Sequence, residues 1–215
     1  MASRYNVEFQ FRNKRFQDAS RGLKAFSTAL KKDWDGSAKI LSDELRSFLT
    51  SVAEALARRH GTPWPGGTTA QTLSRRSGKL AGSILRSVEV GGNTFQTIEG
   101  TIGADFPGVV HEFGATIKPK TAKYLAIPLP AALDSKGVPL KKGPREWAHT
   151  FVAKSKAGNL IIFQRRGTQV IPLYVLKSSV TIPPRLGMQK TLDAGLPYFV
   201  DRSMDAIVRA VQQVA

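Results

Sequence analysis

Tyr5, Val7, Phe9 and Phe11 alternate with polar residues, a period of two that predicts a half-buried strand over 5–12. The period then changes. Asp18-Ala19-Ser20 offers a helix start, and Leu23, Phe26 and Leu30 follow at helical spacing. Asp33-Trp34-Asp35-Gly36-Ser37 either breaks this helix or bends it. Beyond it, Leu41, Leu45, Phe48, Leu49, Val52 and Leu56 form one apolar stripe. That second helix should stop at Arg58-Arg59-His60-Gly61, with cations in its last turn and a glycine behind them. Residues 17–60 are therefore expected to be helical.

Residues 61–74 read as a flexible loop, since Pro63, Pro65, Gly61, Gly66 and Gly67 forbid regular structure. Trp64 in that loop is expected either to pack back on the body or to touch a partner. Leu80, Ile84 and Val88 predict a short helix over 78–88. Phe95–Ile102 alternates as a strand after a turn at Gly91-Gly92-Asn93, with Ile98 and Ile102 inward. Tyr124–Leu129 is a short apolar strand closed by Pro128 and Pro130. Thr150–Ala153 and Leu160–Gln164 suggest a hairpin turning at Ser155–Asn159, and Val170–Val180 another strand, stopped by Pro183-Pro184. A last helix is expected to begin near Pro197, a favoured first-turn residue, with Val200, Met204, Ile207, Val208 and Val211 as its apolar face. Strands in the middle with helices at both ends predict one α+β domain over 1–215. Its mainly antiparallel central sheet would be flanked by N-terminal helices and a C-terminal helix.

Composition narrows the chemistry. The 215 residues include no cysteine and only three histidines, His60, His111 and His149, so disulfides, thiolate chemistry and histidine-rich metal sites are not expected. His111-Glu112 lacks the second histidine of a zinc-protease helix, because Ala115 stands there. Gly78-Lys79 lacks the hydroxyl residue of a phosphate-binding loop, because Leu80 follows and Leu73 replaces the earlier glycine. No catalytic or cofactor motif emerges, and neither an enzyme nor a cofactor is expected. No apolar run is long enough to span a membrane, and Met1–Asn6 does not begin a signal peptide.

The net charge of +16 is uneven: residues 129–190 hold 11 Lys/Arg against 2 Asp/Glu. This basic segment, a hairpin-like insertion over 131–167, carries Lys141, Lys142, Arg145, Lys154, Lys156, Arg165 and Arg166. Three readings stand beside one another. It is a solvated hairpin whose charge limits edge association, a docking face for an acidic protein, or a phosphate-contacting surface. Trp147, Phe151 and Phe163 fall at strand positions that core packing explains.

Three stretches in order carry a resemblance. They are Ser77-Gly78-Lys79-Leu80-Ala81-Gly82-Ser83-Ile84, then Val109-Val110-His111-Glu112-Phe113-Gly114-Ala115 with Leu125–Leu129 and its Pro128 after it, and Val180-Thr181-Ile182-Pro183-Pro184-Arg185. Together they resemble the tail-completion and neck ("virion morphogenesis") proteins of long-tailed bacteriophages over roughly residues 75–210. The resemblance implies a non-enzymatic virion protein of the neck or tail end, a tail-completion or tail-terminator protein. It would form a ring, expected to be hexameric, that joins tail to head. Its partners would be further copies of itself, other neck and tail proteins and packaged DNA, with no membrane. It would be found in the virion, and in the host cytoplasm during assembly. The motif residues are expected to be structural: Ser77 as a helix cap, Gly78 as the turn into the helix, Phe113 in the core, Gly114 as a left-handed cap, Pro183 at a crossing. The alternative from another class is a basic nucleic-acid-binding protein.

Overall fold

The computed structural model describes residues 9–11, 14–16 and 19–212. In chain order the elements are β1 (Phe9–Phe11), β2 (Lys14–Phe16), α1 (Ala19–Arg59), α2 (Lys79–Arg86), β3 (Glu89–Gly91), β4 (Glu99–Thr101), α3 (Gly108–Phe113), β5 (Ala115–Ile117), β6 (Leu125–Pro128), β7 (Thr150–Lys154), β8 (Leu160–Arg166), β9 (Gln169–Lys177), β10 (Val180–Ile182) and α4 (Met188–Gln212). With 39% helix and 23% strand, and with antiparallel sheets, this is an α+β fold that ends in a C-terminal helix. In place of one central sheet, four strands make the sheet β6-β9-β8-β7, and β1-β2, β3-β4 and β10-β5 stand as separate pairs. Tyr5, Val7, Arg12 and Asp18 of the expected first strand and helix start lie outside the described residues.

The two expected N-terminal helices are one. A glycine inside a helix costs about 1 kcal/mol, too little to stop α1 at Gly36 when Ser37 and Ala38 behind it are buried. The apolar stripe does what its spacing requires: Leu49, Val52, Ala53 and Leu56 are buried.

The chain divides into two compact units, the first holding 1–51, 88–101 and 192–215, the second 52–87 and 102–191. In the first, Gly100 of β4 lies so close to Leu49 that a Cβ there would sit 2.6 Å from its Cδ1. Phe48 stacks on Phe199 with ring centroids 5.1 Å apart, and Arg202 pairs with Glu44 at 2.9 Å. The strand expected from Phe95 is only Glu99–Thr101. Upstream, Thr97 Oγ1 accepts N–H groups from Asn93 and Thr94, and this local turn displaces a strand.

The C-terminal helix departs from expectation twice. It starts at Met188, so Pro197 lies inside it. Its expected apolar face is also divided: Val200, Met204 and Val208 are exposed and Ile207 is half-buried, whereas Ser203 and Ala206 are buried.

In the second unit, β8 pairs with both β7 and β9, and a bulge falls between Ile162 and Phe163, opposite Pro172 and Leu173. Proline cannot donate to a ladder, and a bulge is where an inner strand tolerates one. The expected strand over 170–180 divides at Ser178-Ser179, because β9 joins the four-stranded sheet while β10 pairs with β5. Trp147, Ala132, Leu173 and Tyr174 form the core against one face of the sheet, with the Trp147 indole donating to the Tyr174 hydroxyl at 3.1 Å.

Candidate functional site

Within the second unit, the three stretches separated in sequence meet. Gly78 turns into α2 with φ 75° and ψ −2°. Ser77 is not the cap: no side chain caps α2, and the Lys79 N–H is 3.5 Å from its Oγ. Ser83 is buried, accepts the Asp105 N–H at 3.2 Å and donates to the Leu80 carbonyl, which ties α2 to the chain entering α3. Ile84, 1% exposed, anchors the same helix. From α3, the His111 carbonyl accepts the N–H groups of Arg185 and Leu186 at 2.6 and 2.8 Å. The side chain of Glu112 reaches Met188 and Gln189 at the start of α4. Gly114 takes φ 73° and ψ 161°, a positive-φ extended conformation rather than the left-handed cap expected. A Cβ there would meet the Ile182 carbonyl oxygen and Pro184 Cδ at 3.0 Å, which is how Pro183-Pro184 and α3 fit together.

His60, just past α1, closes this assembly and was not singled out by any motif. Its Nε2 lies 3.0 Å from the Leu186 carbonyl and its Nδ1 3.0 Å from the Leu73 N–H. A carbonyl needs a donor and an amide N–H needs an acceptor, so the ring is neutral with its proton on Nε2. Burial holds the His60 pKa below its ordinary value, opposed by the Leu186 hydrogen bond. Burial also lowers the pKa of His111, with the Arg185 charge adding to it.

A cavity of about 590 Å³ opens between these segments. Leu56, Leu73, Leu80 and Ile84 contribute its apolar lining; Arg75, Arg76, Lys79 and Arg185 are its cations, with Asp105 the acidic residue among those lining it. Two buried polar atoms beside it, His111 Nδ1 and Arg185 Nε, have no hydrogen-bond partner.

Trp64 is packed, not presented. Its ring lies against Gly137, where a Cβ would come within 2.6 Å, and the Arg76 guanidinium sits 5.7 Å from the ring centroid. Arg76 Nη1 also donates to the Gly137 carbonyl at 2.8 Å, so the 61–74 loop is pinned to the chain after β6.

All seven basic-segment residues are exposed, but they form two groups. Arg165, whose N–H binds the His149 carbonyl, and Arg166 lie at the end of the hairpin where Lys141, Lys142 and Arg145 lead into β7. Lys154 and Lys156 lie at the opposite end, around the Ser155–Asn159 turn. Lys141 covers the Trp147 ring at 5.1 Å.

The register divides the four-stranded sheet into two faces. Ala126, Tyr174 and Ile162 lie toward the Trp147 core. The other face carries Ile127, Val175, Ile161, Phe163 and Phe151, and none of these is buried. Phe151 and Phe163 stack at 5.7 Å, so these two aromatics face away from the core that was expected to hold them. Phe113 is likewise outside the core, 77% exposed, with Val109 on the same helix and Phe106 just before it also exposed.

Among the described residues, no group of three or more His, Asp or Glu could hold a metal ion, and no helix is long and apolar enough to cross a membrane. Compared with protein-family models, curated proteins and solved structures, the chain matches none.

Proposed function

We propose that this chain is a structural, non-enzymatic virion protein of the bacteriophage neck or tail end, which assembles with copies of itself as a ring and joins tail to head. The observation that carries the assembling part is the second face of the four-stranded sheet: five apolar side chains across all four strands, with Ile127, Val175, Ile161 and Phe163 half-buried and Phe151 exposed. Contiguous apolar surface on a single chain marks a contact with another protein. Phe106, Val109 and Phe113 supply a second candidate contact. The phage assignment rests on the ordered resemblance of the 77–84, 109–115 and 180–185 stretches. Glu112 supports the non-enzymatic reading, because both its oxygens already accept backbone N–H groups.

Light scattering of the purified chain across salt concentration, with negative-stain images of the same sample, tests this. Rings of one size, lost in Ile161→Lys, are expected. A chain that stays monomeric both alone and with neck and tail partners would sink the reading. A second reading, nucleic-acid binding, draws on Arg165, Arg166, Lys141, Lys142 and Arg145 gathering at one hairpin end. It requires steeply salt-dependent duplex binding that these residues carry.

A further inference from the structure

We propose that the cavity between α2, α3 and Arg185 is a phosphate site, taking inorganic phosphate or the monoester group of a small molecule. Four cations line it against one carboxylate, and among the described residues none of Arg75, Arg76, Lys79 and Arg185 has an ion-pair partner. Arg76 is occupied by Gly137 and Trp64, which leaves Arg75, Lys79 and Arg185 for a ligand. Arg185 Nε is an obligate donor, buried and without an acceptor, and buried polar groups are ordinarily satisfied. His111 Nδ1 beside it is unpartnered too. The first turn of α2 adds the Leu80 and Ala81 N–H groups, beyond the Lys79 N–H that lies 3.5 Å from Ser77 Oγ.

The donors come from two separate segments, the 75–81 stretch and Arg185, and a tetrahedral oxyanion has acceptor oxygens enough for both. A charge near −2 also balances the cations left over. The cavity, at about 590 Å³ with an apolar lining, has space beyond the anion for the body of an ester. This inference stands apart from the ring reading, because it concerns a pocket within one chain.

Isothermal titration of the full chain with sodium phosphate and with phenyl phosphate, against sodium chloride at matched ionic strength, tests it. A saturable single site for phosphate over chloride is expected, tighter for the ester if the apolar lining is used and equal if the free anion is the ligand. Arg185→Met should weaken it roughly tenfold or more, the loss of charged hydrogen bonds. Arg75 and Lys79 are exposed, so the double variant Arg75→Gln/Lys79→Gln should fold and show a loss of the same order even if Arg185→Met does not fold. Arg165→Gln/Arg166→Gln should bind as the unaltered chain does. Heats that are the same in phosphate and chloride, binding that survives the 75/79 double variant, or binding of duplex DNA alone would each overturn the proposal.

Discussion

Glu112 caps a helix that begins 76 residues later: its Oε2 accepts the Met188 N–H at 2.8 Å, and its Oε1 accepts the Gln189 N–H at 3.0 Å. Both bonds are charge-assisted and sit at the positive end of α4. Glu112→Ala should therefore lower stability by about 1–3 kcal/mol. Glu112→Gln keeps one acceptor oxygen and should lose less. Thermal unfolding followed by circular dichroism checks the order, and equal losses would show that the carboxylate is not what matters.

His60 and His111 make stability depend on pH. Folding lowers both pKa values from 6.5, so near and below that pH the unfolded chain binds protons that the folded chain refuses. Their contribution is fully present above 6.5 and is lost as pH falls through the lowered folded values. Denaturant midpoints should therefore drop on acidification from pH 7.5 toward 5. His60→Gln offers a donor and an acceptor without titrating, and should flatten part of that slope.

Gly114→Ala places a Cβ against the Ile182 carbonyl at a positive φ and should cost about 1–3 kcal/mol. Gly143 has extended backbone and nothing within 4 Å of its would-be Cβ. Gly143→Ala should stay within about 0.5 kcal/mol of the unaltered protein. The pair separates a packing-specific glycine from a loop glycine in one melting experiment.

The two sheet faces should respond oppositely to substitution. Tyr174→Ala on the core face removes a ring that is 3% exposed and should cost about 3–5 kcal/mol. Ile161→Lys on the opposite face should leave the melting temperature nearly unchanged while lowering the mass in solution. A large stability loss from Ile161→Lys would mean that the chain itself covers this face.

Local pattern carried much of the fold. The stripe from Leu41 to Leu56, the Ser155–Asn159 hairpin turn and the short helix after Gly78 follow from residue spacing and turn chemistry. What could not be read depends on distant partners. The start of α4 lies with Glu112, not with any residue near Met188, and without that carboxylate Pro197 is the best local start signal. The site was legible in its pieces, because Gly78, Ser83, His111, Glu112 and Arg185 all belong to the stretches that meet around the cavity. Arg75, Asp105 and His60 were not, since nothing in their neighbourhoods announces a contact with another segment. Phe113 misled because an aromatic on a short apolar helix ordinarily points inward.

The bulge opposite Pro172 has a consequence for how this sheet tolerates insertions and deletions. Strict alternation along β9 would send Leu173 and Ile171 to the face away from Tyr174. The extra residue resets the phase, so Leu173 and Tyr174 are consecutive and both buried, and Ile171 joins the same core. The core thus draws three residues from four positions of one strand. A one-residue change in length here would reverse the allegiance of everything from Gln169 to Pro172, trading core side chains for outward ones without altering the composition of the strand.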